Sequence, residues 1–131
     1  MAFGGISNLP RPARLLIVED DVLLASALQE LLRDSGFEVV GTAGSAAAAL
    51  SLAKDQNPQI ALIDICLVGP IDGIELACRL RDEYLIPAIF LSGLADPEAR
   101  ERALMAQPLG FLRKPYRDAR LRKNDFGLTM L

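Results

Sequence analysis

Short apolar runs recur along this chain, and between them lie stretches whose apolar positions repeat every three or four residues. The runs are Leu15-Leu-Ile-Val18, residues 37–43, residues 59–67, residues 87–91 and residues 109–112. Bounded by turn residues, they read as buried strands of a parallel sheet. Between them, Leu24, Leu28, Leu31 and Leu32 fall at helical spacing opposite Gln29, Glu30 and Arg33, and Gly36 stands where a helix cap belongs. That predicts a helix over residues 22–35. Ser45 is placed to cap an alanine-rich helix to about Lys54, which Asn57-Pro58 ends. Asp72 is placed to cap a helix from about Ile74 to Glu83, and Asp96-Pro97-Glu98 opens a short charged helix to about Met105.

Strands alternating with helices give, by the right-handed crossover rule, an α/β fold: a five-stranded parallel sheet with helices on both faces. All strand carboxyl ends then share one edge, where open sheets of this kind place their ligands. Residues 1–13 hold Gly4, Gly5, Pro10 and Pro12 without periodicity and read as a flexible leader.

Composition narrows the chemistry. At 131 residues the chain is long enough for one core, and 51% hydrophobic with 24% charged residues describes a globular domain. No output or catalytic domain is expected beside it. Histidine is absent, which removes Ser-His and Cys-His nucleophilic pairs and most transition-metal sites. A metal here must be held by oxygen, with Mg²⁺, Ca²⁺ or Mn²⁺ as candidates. Cys66 and Cys78 lack metal or redox spacing. With a net charge of −3 and only a short basic stretch near the C-terminus, direct nucleic-acid binding is not expected. No apolar run reaches the length of a membrane span and no signal peptide opens the chain, so membrane insertion is not expected and the expected compartment is the cytoplasm.

The strand ends carry the candidate site. Glu19-Asp20-Asp21 follows the first run, Asp64 ends the apolar part of the third, Ser92 follows the fourth and Lys114 the fifth. Taken singly, each has an ordinary explanation as a turn, cap or surface residue. Their convergence on one edge supports phosphoryl transfer onto a carboxylate. An acidic pair with Asp64 would hold a hard divalent cation such as Mg²⁺. Asp64 would be the nucleophile, with Lys114 and Ser92 satisfying phosphoryl oxygens.

Leu15-Leu-Ile-Val-Glu-Asp-Asp21, Ala61-Leu-Ile-Asp64, Asp72-Gly73, Phe90-Leu-Ser-Gly93 and Phe111-Leu-Arg-Lys-Pro115 resemble, in order, the signature segments of the receiver domain of bacterial two-component response regulators. The resemblance covers about residues 14–116 and implies a flavodoxin-like (CheY-like) fold in a stand-alone receiver. By it, Asp64 is the phosphoacceptor, Glu19 and Asp20 the acidic pair, and Cys66 the donor of a backbone carbonyl to Mg²⁺. Ser92 becomes the switch hydroxyl, Lys114 the lysine before a cis-proline, and Phe111 the aromatic that changes rotamer. It also implies a histidine kinase or histidine phosphotransfer protein as phosphodonor, and a downstream protein partner that reads the altered surface. Departing from the family, Val68 stands where proline is usual, four residues after Asp64, and Gly69-Pro70 lengthens the loop.

Other readings use the same fold. A haloacid dehalogenase type phosphohydrolase would want a second Asp where Cys66 stands, and a flavin binder would want a phosphate loop where the acidic triplet stands. A degenerate receiver acting as a docking scaffold would not need Asp64, Asp20, Ser92 and Lys114 together. Residues 117–131 form an atypical C-terminal segment. Asn124, Asp125 and Gly127 fall where a packed fifth helix needs apolar residues, so Phe126, Leu128, Met130 and Leu131 are expected to fold back irregularly or to pack on another protomer as a homodimer.

Overall fold

The computed structural model describes residues 3–4, 13–93, 97–114 and 128–131. In chain order the elements are β1 (Phe3–Gly4), β2 (Arg14–Val18), α1 (Val22–Asp34), β3 (Glu38–Ala43), α2 (Ala46–Gln56) and β4 (Ile60–Asp64). There follow α3 (Gly73–Tyr84), β5 (Ala88–Ser92), α4 (Pro97–Ala103), a 3₁₀ turn (Leu104–Ala106), β6 (Gly110–Arg113) and β7 (Leu128–Met130). The sheet order is β1-β7-β6-β5-β4-β2-β3. From β3 through β6 all pairings are parallel, which bears out the five-stranded parallel core.

Alternation along the central strands sends side chains to two cores. Leu16, Val18, Ala61, Ile63 and Phe90 face α2, α3 and α4, whereas Leu15, Ile17, Leu62, Ile89 and Leu91 face the side of α1. Both faces are covered, so β2, β4 and β5 are apolar at nearly every position instead of at every second one. α1 buries Ala25, Leu28, Leu31 and Leu32. The alanine-rich helix α2 buries Ala46, Ala49 and Ala53, small side chains that bring the helix close to the sheet.

Side-chain caps make the helix starts, Ser45 and Asp72 as predicted and Asp21 in addition. Asp21 accepts from the N–H groups of Leu23 and Leu24, Ser45 from Ala48, and Asp72 from Glu75. Gly36 takes φ +94° just after α1, a conformation that glycine adopts at no steric cost. Asp96 lies outside the described residues, but Pro97 is the first residue of α4.

Two expectations change at the chain ends. The segment over 1–13 is not wholly irregular: Phe3–Gly4 pairs with β7, and Ala13 is buried. At the other end, Leu128 and Met130 do not fold back irregularly, because Leu128–Met130 lies antiparallel to β6, with Phe111 opposite Thr129. Leu131 N–H donates to the Leu109 carbonyl at 2.8 Å. The physical reason is the open edge of β6, whose backbone donors and acceptors need partners, and a strand satisfies them where sparse apolar spacing would not support a packed helix. Phe126 lies outside the described residues.

Removing residues 128–131 is therefore expected to bare the β6 edge. Amide hydrogen exchange across residues 110–113 should accelerate by about tenfold or more, as roughly 1 kcal/mol is lost per hydrogen bond. Exchange unchanged from the full chain would show that β7 does not protect β6.

Candidate functional site

The sheet brings the predicted residues to one edge. β2 passes into Glu19, whose N–H donates to the Ala43 carbonyl at 2.9 Å at the end of β3. Asp64 is the last residue of β4 and Ser92 the last of β5, and Lys114 follows β6 directly. The Lys114 N–H donates to the Ser92 carbonyl at 2.8 Å, so the lysine is set by the β5–β6 register. Of the four buried polar residues among those described, three stand here: Glu19, Asp64 and Ser92.

Lys114 Nζ lies 2.9 Å from Glu19 Oε1 and 3.0 Å from Asp64 Oδ2. The other carboxylate oxygens are held by backbone. Asp64 Oδ1 accepts from Cys66 N–H at 3.0 Å, and Glu19 Oε2 accepts from Asp21 N–H at 3.1 Å. Asp21 thus serves as a helix cap and as a brace for Glu19. The exposed Asp20 completes the cluster, since Glu19, Asp20 and Asp64 each offer a carboxylate oxygen within 4.8 Å of the others. Three convergent carboxylates form an all-oxygen donor set suited to Mg²⁺. Glu19 Oε1 supports that fit, for it is buried and its only partner among the described residues is the Lys114 ammonium.

Burial pushes the Glu19 carboxyl up to about 7, against the ion pair with Lys114 and the Asp21 N–H, while Asp20 and Asp64 add to the rise. Burial alone would lower Lys114, but its contacts with Glu19 and Asp64 outweigh it and hold its pKa above the usual lysine value. The lysine therefore stays charged.

Phe111 sits deeper. It is buried within β6, with its ring centroid 6.1 Å from that of Phe90 at 29°, and the Arg100 guanidinium carbon lies 4.6 Å from the ring centroid. Sequence reasoning missed Arg100, because a cation on a short charged helix carries no mark of the ring it will meet. It also read Asp72 as a helix cap and Asp72-Gly73 as a segment of the family resemblance, without the close approach that the glycine allows. A Cβ built on Gly73 would collide with the Asp64 carbonyl oxygen and come within 3.3 Å of Ile63 Cγ2. The glycine thus lets α3 begin against the backbone of Asp64. Cys66 is exposed beyond β4, and Cys78 lies in α3.

A family model described as the response regulator receiver domain matches residues 15–124. The transcriptional regulatory protein PdtaR of Mycobacterium tuberculosis is 33% identical over 105 residues, covering 80% of this chain and 51% of PdtaR. CseB of Streptomyces coelicolor, also a transcriptional regulatory protein, is 36% identical over 102 residues, covering 78% of this chain and 43% of CseB. The chain thus spans about half the length of the curated relatives it matches. Among solved structures, the signal receiver domain of a modulated diguanylate cyclase from Desulfovibrio desulfuricans, described as an example of alternate folding, is similar with a TM-score of 0.73 and 40% identity. That match covers 79% of this chain and 82% of the other. A response regulator from Chloroflexus aurantiacus aligns with a TM-score of 0.72 and 34% identity over 81% of this chain and 88% of its own.

The raised Glu19 pKa predicts a pH signature for the metal-free chain. Between pH 4.5 and about 7 the folded state binds a proton that the unfolded state releases, so stability falls as pH rises through this window. At most about 3 kcal/mol is involved. Denaturant unfolding across that range should show a slope in the wild type that Glu19→Gln flattens. Equal slopes would show that Glu19 does not carry the effect.

Proposed function

The chain belongs to the response regulator receiver domain family, and from that premise we propose that it is a phosphorylation-dependent signalling switch with Asp64 as the phosphoacceptor. The observation that carries this reading is the single ammonium of Lys114 spanning Glu19 and Asp64 at the carboxyl edge of the sheet. In this reading a histidine kinase or histidine phosphotransfer protein supplies the phosphoryl group. An Asp64 carboxylate oxygen attacks phosphorus, the P–N bond of the donor's phosphohistidine breaks, and the imidazole leaves with the bonding electron pair.

Glu19, Asp20, Asp64 and the Cys66 backbone carbonyl would hold Mg²⁺, which when bound neutralises phosphoryl oxygens. Asp64 surrenders its negative charge when it becomes an acyl phosphate. Lys114 then loses its Asp64 partner and gains a phosphoryl oxygen, so one fixed positive charge serves both states. Ser92, on the neighbouring strand end, is the hydroxyl read as taking another phosphoryl oxygen. Phe111 is read as the aromatic that reports the change to a downstream protein partner. The switch assists its own phosphorylation and dephosphorylation and is not read as a turnover enzyme.

Among the described residues no helix is long and apolar enough to cross a membrane, and the site of action proposed is the cytoplasm. The transcriptional roles in the names of PdtaR and CseB belong to those longer proteins. A change of surface toward a protein partner, and not direct contact with nucleic acid, is the output proposed for the residues described here.

Acetyl phosphate with Mg²⁺ tests the reading directly. The wild type should gain one acid-stable, hydroxylamine-labile phosphoryl group, Asp64→Asn none, and Lys114→Ala should react about a hundredfold more slowly. Continuous phosphate release would favour a phosphohydrolase, and no labelling would favour a scaffold. Separately, NMR titration should show weaker Mg²⁺ binding by Asp20→Asn than by wild type. Equal affinities would remove Asp20 from the metal site.

A further inference from the structure

One aspartate is bonded in two directions at the start of α1. Toward the helix it is fixed at three points: Asp21 Oδ1 accepts from Leu23 N–H at 3.0 Å and from Leu24 N–H at 3.2 Å, and the Asp21 carbonyl accepts from Ala25 N–H at 2.9 Å. Toward the site, its own N–H donates to Glu19 Oε2 at 3.1 Å. The turn that this side chain holds has little apolar packing to hold it otherwise. Val22 is 77% and Leu23 83% exposed, and Ala25 is the first residue of α1 that is buried. Ser45 and Asp72, which cap α2 and α3, each accept from one N–H, so Asp21 makes the fuller cap.

We propose that Asp21 is a positioning residue for the metal site: its cap holds residues 19–21 in the turn that presents Glu19 and Asp20 to Asp64. This role rests on the Mg²⁺ site read above. Glu19 is anchored through its N–H on the Ala43 carbonyl and through both carboxylate oxygens, Oε1 on Lys114 and Oε2 on the Asp21 N–H. Asp20 stands between these two fixed residues, so its backbone is held from both sides. The Asp21 carboxylate is itself engaged by α1, and among the described residues the carboxylates that converge within 4.8 Å are those of Glu19, Asp20 and Asp64. Asp21 thus acts through Glu19 and Asp20 and not as a ligand. Removing the cap frees the first turn of α1 and loosens the N–H that holds Glu19. The typical cost of a lost N-cap corresponds to an affinity about three- to fivefold weaker.

The test uses the full chain without phosphodonor. NMR titration reads the affinity for Mg²⁺, and hydrogen exchange in metal-free buffer reads the protection of the position-21 amide. In Asp21→Ala the affinity should fall by about three- to fivefold, and the protection by a similar factor. Asp21→Asn should stay within about twofold of the wild type in both, because an amide oxygen caps as well as a carboxylate. Ser45→Ala removes the cap of α2 and lowers stability comparably, yet it should leave both readouts unchanged. Should Asp21→Ala fail to fold, Asp21→Gly removes the same acceptor with a residue that caps tolerate. Mg²⁺ bound equally by the wild type and the uncapped variant would overturn the proposal, as would an equal loss in Ser45→Ala, the mark of general destabilisation. Asp21→Asn as weak as Asp21→Ala would assign the effect to charge and overturn the positioning role. A wild type that binds no Mg²⁺ would remove the metal site and this role with it. One that binds Mg²⁺ but gains no label from acetyl phosphate would overturn the phosphoacceptor reading alone.

Discussion

A lysine ammonium shared by two buried carboxylates is the interaction on which this edge of the molecule depends. Without it, Glu19 and Asp64 would face each other almost free of water with no positive charge between them, a costly arrangement for two buried carboxylates. The shared ammonium keeps negative charge available where Asp20 and a divalent cation would add to the cluster. Burial still holds the Glu19 carboxyl up at about 7 despite its ion pair. With Asp20 beside them, three carboxylates share one ammonium, an excess of negative charge suited to a cation.

That geometry is inherited from strand register, not built by the loops. Lys114 reaches the carboxylates because β6 is paired to β5 with Ser92 opposite Arg113, and Asp64 lies opposite Leu91 on the other side of β5. A shift of one residue in either pairing would send the side chains to the opposite face. The apolar residues that bury both faces of β4 and β5 thus also fix the lysine's position. Gly73 adds a constraint from the loop side, as α3 starts where only a glycine can lie against the Asp64 carbonyl.

Much of this was legible in the sequence because it depends on local patterns. Apolar runs ending in Asp64, Ser92 and Lys114 fix which residues leave the sheet at one edge, and Asp21, Ser45 and Asp72 mark helix starts through side chains that bond within three residues. The contributions of Arg100 and Gly73 to the site were not legible, because each depends on which surface arrives opposite it after folding. The two strands outside β6 were missed for a different reason. Phe3–Gly4 and Leu128–Met130 are too short to show alternation, and their pairing depends on a β6 edge that only the assembled sheet presents.

The pairing of β1 with β7 has a mechanical consequence. Phe3 lies opposite Thr129 and Gly4 opposite Leu128, so the two strands run in opposite directions with the chain's first and last described residues at the same end. Tension applied across those residues would load the hydrogen bonds one at a time, as a zipper opens, instead of shearing them together. β7 would then peel from β6 from Met130 toward Leu128 in the same manner. The five parallel strands resist differently, because their crossovers spread a pull along whole strands packed on both faces. Force would therefore strip the outer pair first and reach the strand bearing Lys114 only afterwards.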